Sequence, residues 1–141
     1  MIRFLFILML LLLPRLTHGQ ISIRIFSRVR PVSVIFTPAT GDYSLHSPGR
    51  DSILVGIGTP VVLTLYEARV IFKTISGETQ AADSVFIRPL NTGANFSLRA
   101  PGKNEQVKTL NGKLLVKPFP GSLLVLNITD IENYLPGVVR A

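Results

Sequence analysis

The 141-residue sequence contains two histidines, and only His46 lies beyond the apolar stretch at the N-terminus. A Ser–His–Asp triad needs a histidine that takes the proton of a serine hydroxyl and a carboxylate that orients the imidazole ring. Asp42, Ser44 and Ser47 are close to His46 in sequence. Residues so near to one another in a turn rarely converge as a triad. We therefore predict that His46 is a solvated loop residue.

Other patterns that support chemistry are missing from the sequence. It contains no cysteine, which excludes disulfides, zinc fingers, iron–sulfur sites and a cysteine nucleophile. A single usable histidine and the lack of an Asp-x-Asp loop disfavour transition-metal and calcium sites. Gly56 and Gly58 lack the third glycine of a dinucleotide-binding fingerprint, because Val61 stands in its place. We predict no metal ion and no cofactor, and we assign no catalytic, metal-binding or cofactor-binding residue.

A basic cluster follows the N-terminal stretch and comprises Arg24, Arg28 and Arg30. The whole chain has 15 Lys and Arg against 8 Asp and Glu, which gives a net charge of +7. A solvated face explains such a cluster, and contact with an anionic cell-wall polymer is the alternative interpretation. We predict no nucleic-acid partner, because the N-terminal sequence indicates export.

Residues 1–19 have the layout of a secretory signal peptide: Arg3 near the start, apolar residues 4–13, and a polar tail that ends in Gly19. A membrane-spanning helix needs about 20 apolar residues, which is twice this run. We predict cleavage before Gln20 and no stable membrane span afterwards. The remaining domain, 20–141, has 13 bases and 8 acids. Its expected location is the periplasm, the cell envelope or the extracellular space.

Frequent Gly and Pro residues divide the rest of the chain into short β-branched, often alternating runs, which is the pattern of strands. The predicted strands are 21–27, 32–37, 43–46, 52–55, 61–66, 69–75, 84–88, 96–99, 113–119 and 122–128. Alternation places Arg24 and Phe26 on the opposite face of the first strand from Ile25. The last two strands predict a hairpin around Pro120-Gly121. Residues 123–126 are apolar on both faces, which predicts an interior strand covered on both sides.

The pattern changes to that of a helix after residue 128. Thr129 and Glu132 form a capping box, which accounts for both Asp130 and Glu132 as first-turn acids rather than an acid–base pair. Apolar residues three and four positions apart predict a helix of about two turns that ends at Pro136. The fold class is therefore mainly β with one short C-terminal helix, an incomplete α+β domain of antiparallel strands and hairpins.

Three segments near the C-terminus carry a specific resemblance. They are 111–116 (NGKLLV), 121–127 (GSLLVLN) and 131–139 (IENYLPGVV). Together they resemble the stage II sporulation protein D and amidase-enhancer family, with Ile131 in place of the usual leucine. Residues 41–45 (GDYSL) are similar to an earlier strand of that family. The resemblance extends over 20–141 and is most specific over 110–141.

The resemblance implies an exported bacterial protein that acts on peptidoglycan, either a lytic transglycosylase or an amidase enhancer of the kind linked to sporulation. In such transglycosylases one glutamate protonates the glycosidic oxygen and then takes the proton of the sugar's C6 hydroxyl. The resemblance places that glutamate directly after Arg140 and Ala141, one position beyond the printed sequence. Glu132 does not substitute for it, because a capping carboxylate accepts backbone N–H groups, which lowers its pKa.

The expected function is therefore that of an exported fragment of a peptidoglycan-acting protein, inactive in glycan cleavage on its own. Whether the chain is an enzyme stays open. The expected partners are peptidoglycan glycan strands and a cell-wall amidase. The alternative interpretation is a complete small β-rich module of the cell envelope that binds polymer or protein and has no catalytic site.

Overall fold

The computed structural model describes residues 19–75, 77, 79–102 and 105–130. The predicted signal peptide, the predicted helix and the resembling segment 131–139 lie outside the described residues, apart from Gly19 at the end of the signal peptide. The described residues form strands, turns and bends, which confirms the mainly β class. No helix among them is long and apolar enough to cross a membrane.

Twelve strands account for most of the described residues. In chain order they are β1 (Gln20–Ile25), β2 (Ser33–Thr40), β3 (Tyr43–His46), β4 (Ile53–Val55), β5 (Val61–Tyr66), β6 (Arg69–Lys73), β7 (Thr79–Ala82), β8 (Val85–Pro89), β9 (Asn95–Ala100), β10 (Gln106–Asn111), β11 (Lys113–Phe119) and β12 (Ser122–Asp130). Sheet A has the order β1-β12-β11-β8-β3-β4, and sheet B has the order β10-β9-β2-β5-β6-β7.

Most of this architecture belongs to one compact unit, Ser22–Ile128. A second unit contains the remaining residues, of which 19–21 and 129–130 are described; nearly all of these are the outer ends of β1 and β12. Within the first unit the inner faces of both sheets contribute to one hydrophobic core. This arrangement is a sandwich of two antiparallel sheets.

Alternation along the strands explains how the core forms, because every second side chain points inward. At its centre the ring of Phe36 lies 5.2 Å from Tyr43 and 4.9 Å from Phe96, measured between centroids. All three side chains are fully buried. Burial of a large apolar side chain contributes about 1.5–3 kcal/mol, so this cluster is a major source of stability.

The predicted hairpin between β11 and β12 is confirmed, with a ladder from Lys113 opposite Ile128 to Phe119 opposite Ser122. β12 is also an interior strand, since it lies between β1 and β11. The prediction that both of its faces are covered is wrong. Leu124 and Leu126 are only half-buried, because they point away from the core that Leu123 and Val125 enter.

Phe26 differs from its predicted position on the outer face beside Arg24. β1 ends at Ile25, and the backbone of Phe26 has a positive φ of 60°. This left-handed residue interrupts the alternation and turns the Phe26 ring inward, where it is 5% exposed. The ring therefore joins the core beside Ile25.

The turn between β2 and β3 directs Tyr43 into the core. Gly41 has a φ of +78°, and a Cβ atom there would lie 2.8 Å from the Cβ of Ala94. The backbone N–H of Asp42 donates to Asn91 Oδ1 at 3.2 Å. The Gly-Asp-Tyr sequence is thus suited to a tight turn that delivers Tyr43 into the core.

Candidate functional site

His46 does not lie in a solvated loop as predicted. It is the last residue of β3, is half-buried, and its Nε2 atom lies 2.6 Å from the Ser44 hydroxyl oxygen. The two side chains meet because residues two apart on a strand point to the same face. The imidazole ring also neighbours Phe86, with 6.5 Å between centroids.

The Ser44–His46 pair lacks the surroundings that an acyl-transfer site needs. Asp42 is four residues from His46, about 13 Å along an extended strand at ~3.3 Å per residue, which is too far for a hydrogen bond. Ser44 is paired with Leu54 on β4 and with Arg88 on β8. Its backbone is therefore engaged within the sheet and offers no oxyanion hole. The hydrogen bond orients His46 on the sheet surface.

A more informative site lies at one end of the sandwich, where two depressions adjoin. The first, which we call the arginine pocket, has a volume of about 200 Å³. It is lined by Arg24, Phe26, Ser27, Arg28, Val29, Gln106 and Lys108. Its walls are β1, the connector that follows β1, and the edge strand β10. Two of the three arginines in the predicted basic cluster thus share a pocket, and β10 adds Lys108.

The second depression, which we call the proline groove, has a volume of about 420 Å³. It is lined by Leu65, Ala68, Pro118, Phe119, Pro120 and Gly121. These residues come from the β5–β6 turn of sheet B and the β11–β12 turn of sheet A. Phe119 is 40% exposed, so a large part of its ring is available to a ligand.

Arginine side chains join the pocket to the groove. The guanidinium carbon of Arg24 lies 4.9 Å from the centroid of the Phe119 ring, within the range of a cation–π contact. Arg30, which lies outside the pocket, donates from its guanidinium to the carbonyl oxygen of Pro120 at 3.0 Å. The backbone N–H of Leu123 donates to the carbonyl of Pro31 at 2.7 Å. The connector after β1 is therefore fixed against the β11–β12 turn.

Backbone strain is concentrated at this end of the molecule. Within the described part of the chain, the non-glycine residues with positive φ are Phe26, Arg30, Glu67 and Ala68. Phe26 lines the pocket, Ala68 lines the groove, Arg30 binds a groove carbonyl and Glu67 precedes Ala68. Such conformations cost about 1–3 kcal/mol each and cluster at functional sites. Glu67 and Ala68 have positive φ because they are the central pair of a two-residue hairpin turn. Phe26 and Arg30 belong to the connector between the pocket and the groove, and they mark these two depressions as the candidate site.

The site is strongly cationic. Arg24, Arg28 and Lys108 line the pocket, and the described lining of both depressions contains no carboxylate. The ion pairs formed between described residues, Arg69 with Asp83 and Arg99 with Glu105, use other side chains. Arginine presents a planar array of N–H donors that matches a carboxylate or phosphate. The site is suited to an anionic ligand that also has an apolar surface.

The β5–β6 turn beside the groove gives a first prediction. Tyr66 pairs with Arg69, so Glu67 and Ala68 form a two-residue turn with φ values of 47° and 62°. A left-handed conformation costs a non-glycine residue about 1–2 kcal/mol, whereas glycine adopts it freely. Ala68→Gly is expected to raise the free energy of unfolding by about 1 kcal/mol, measured by urea denaturation.

The matched control is Ala81→Gly in strand β7, where Ala81 pairs in register with Ile71 and the backbone is not left-handed. It is expected to lower stability by about 0.5–1 kcal/mol, because glycine has more freedom to lose on folding. Equal changes at the two positions would contradict the assignment of strain to the turn.

No family model, curated protein or solved structure matches this chain. Among the described residues, no group of three His, Asp or Glu side chains is arranged to hold a metal ion. The sequence predicts the basic cluster that contains Arg24 and Arg28. It does not predict Lys108 or the groove, because these residues reach the site only when sheets A and B pack.

Proposed function

We propose that the chain is a peptidoglycan-binding module and that the arginine pocket and proline groove together bind a glycan strand. The family resemblance of the C-terminal sequence supports the choice of this polymer, and the signal-peptide pattern supports action after export. A cell-wall amidase as a partner is a further proposal from the resemblance and is not required for this binding.

The chemistry of the glycan fits both halves of the site. In peptidoglycan strands stripped of their peptides, alternate sugars carry a free lactyl carboxylate, which matches the guanidinium groups of Arg24 and Arg28. The apolar face of a sugar ring fits against Phe119 and the prolines of the groove, where contact removes apolar surface from water. The single observation that carries the proposal is the cationic pocket that adjoins an apolar groove, with Arg24 of the pocket lying over the Phe119 ring of the groove.

Binding without cleavage is the activity that these residues support. A lytic transglycosylase needs a carboxyl group that protonates the glycosidic oxygen. The described lining residues of the pocket and groove supply arginine, lysine, amide and apolar side chains instead. The proposed role of the site is therefore to position a glycan strand.

Binding of the full chain to insoluble, peptide-stripped peptidoglycan glycan and to chitin tests this proposal. Chitin has a similar N-acetylated backbone but no lactyl carboxylates. Arg24→Ala/Arg28→Ala is expected to weaken glycan binding at least tenfold, because each lost charge-assisted hydrogen bond costs about 1.5 kcal/mol. Glycan binding is also expected to weaken as salt is raised. Phe119→Ala is expected to weaken binding to both polymers.

The control variant is Arg50→Ala/Lys73→Ala, which removes the same charge from exposed positions that do not line the pocket or groove. It is expected to bind like the unmodified chain. Equal losses in the two double variants would show a general charge effect and overturn the site. Equal affinity for chitin and glycan in the unmodified chain would overturn the role given to the carboxylates.

A further inference from the structure

A second surface lies on the outer face of sheet A, away from the core. Leu126 on β12 is opposite Leu115 on β11, and Leu115 is opposite Phe86 on β8. All three side chains are half-buried. Together these three side chains form a continuous apolar surface across three strands. We call it the apolar row. His46 on β3 extends it, since it is opposite Phe86.

On β11, cationic residues flank the apolar row on both sides, whereas on β12 the neighbours of Leu126 on the same face are apolar, Leu124 and Ile128. Lys113 and Lys117 lie two residues before and after Leu115, about 6.6 Å away along the strand, and point to the same face. Arg88 lies two residues beyond Phe86 and joins the Lys113 side. Apart from Arg24, which lies over the Phe119 ring, the strands of sheet A contain three cationic residues, Arg88, Lys113 and Lys117, against one acid, Asp130 at the end of β12.

The outer face of sheet B lacks such a row. Its apolar pair Ile35 and Val62 is bounded by Arg99 on one neighbouring strand and Lys73 on the other. At this level the charged side chains limit the apolar surface to two strands. The apolar row with cationic margins is therefore a particular feature of sheet A.

We propose that the apolar row binds an amphipathic helix of another protein, one whose apolar stripe has acidic residues on both sides. With His46 included, the row crosses four strands at ~4.8 Å spacing and is about 14 Å long, which matches two to three helical turns of 5.4 Å. The leucines and Phe86 cover the apolar stripe, while the lysines and Arg88 meet the acids. A helix that packs on this surface buries its apolar side chains at spacings of three and four.

Two other occupants fit the surface less well. A second copy of the chain packed face to face would bring Lys113 and Lys117 against the cations of its partner, which is unfavourable. Insertion into a lipid surface needs apolar side chains that project into the bilayer. The side chains of the apolar row are half-buried between their neighbours and form a flat surface instead.

The test uses a synthetic helical peptide of alanine and leucine with glutamates on both sides of its leucine stripe. Its binding to the full chain is measured by fluorescence anisotropy. Binding is expected, and Lys113→Glu/Lys117→Glu is expected to weaken it at least tenfold. The same peptide with lysines in place of its glutamates is expected to bind the reversed variant better than the unmodified chain.

Controls separate this surface from the arginine pocket and from other occupants. Arg50→Glu/Lys73→Glu, with the same change of charge, and Arg24→Ala/Arg28→Ala are both expected to leave peptide binding unchanged. Failure of the charge swap would overturn the proposal. So would tight binding to phosphatidylglycerol vesicles that depends on Lys113 and Lys117, or dimerisation of the unmodified chain that these reversals abolish.

Discussion

Asn127→Asp is expected to lower the free energy of unfolding by about 3–5 kcal/mol, the typical cost of a buried charge without a compensating partner. Asn127 is 3% exposed. Its amide nitrogen donates to the carbonyl oxygens of Asn111 at 2.7 Å and Lys113 at 3.0 Å. A carboxylate in this position would direct negative charge at two acceptors. Urea denaturation at pH 7 measures the loss.

The penalty of Asn127→Asp is expected to shrink as the pH falls towards 4. Burial raises the folded-state pKa of the new carboxyl above its unfolded value near 3.9. At a pH between the two pKa values the carboxyl is ionised in the unfolded chain and neutral in the folded chain, so the free energy of unfolding falls as the pH rises through this range. Above the folded pKa the loss is complete. A loss that is independent of pH would contradict the burial of charge as its cause.

The matched control is Asn91→Asp. Here the side-chain oxygen accepts a hydrogen bond from the backbone N–H of Asp42, and the residue is exposed. A carboxylate oxygen can accept the same bond, so the expected change is within about 0.5 kcal/mol. A large loss for Asn127→Asp and a small change for Asn91→Asp would give Asn127 a structural role, since its amide connects β12 to the β10–β11 junction. Asn127 belongs to the resembling segment 121–127.

In strong alkali the unmodified chain is expected to lose about 2.7 kcal/mol of its free energy of unfolding, because Tyr43 ionises in the unfolded state. Tyr43→Phe is expected to abolish this loss. Tyr43 is fully buried, and its hydroxyl has no hydrogen-bond partner among the described residues. Burial raises the pKa of Tyr43 from 10.0 to about 12. Removing an unsatisfied hydroxyl is also expected to raise stability by about 1 kcal/mol at pH 7.

The sign of the pH effect follows from the raised pKa. Below pH 10 the phenol is neutral in both states, and its contribution is constant. Between pH 10 and about 12 the unfolded chain ionises while the folded chain does not, so stability falls by about 1.4 kcal/mol per pH unit. The difference between Tyr43→Phe and the unmodified chain should therefore widen over this range.

Urea denaturation between pH 7 and 11.5 measures this difference, since titration of lysines affects both proteins alike. Tyr66→Phe is the control, because Tyr66 is 58% exposed. It is expected to leave the pH dependence unchanged. Parallel stability curves for Tyr43→Phe and the unmodified chain would show that Tyr43 is not the buried titrating group.

The strands with inward alternation could be predicted from the sequence, and all ten predicted strands are present. β7 and β10 were missed because both are edge strands of sheet B. The residues of β10 are exposed except for Leu110, so the strand has no alternating pattern. It is defined by its ladder with β9, from Gln106 opposite Ala100 to Asn111 opposite Asn95. Such pairing depends on distant residues.

The candidate site could be predicted only in part for the same reason. Arg24 and Arg28 are close in sequence, so their cluster was visible. Lys108 reaches the pocket on a strand that the sequence pattern did not indicate, and Ala68 and Phe119 meet through the packing of two sheets. The positive φ of Phe26 also reversed the face expected for its ring. Local patterns contain no information on these long-range relations.

The adjacency of β1 and β12 in sheet A has a consequence for folding kinetics. Among the described residues β1 and β12 are the first and last strands, and they must find each other. Loops this long are slow to close, so a high contact order and a slow folding rate follow. The β1–β2 connector is held by the turn that leads into β12, through Arg30 and Pro120. Ligand affinity should therefore emerge in the latest phase of refolding, after most of the secondary structure has formed.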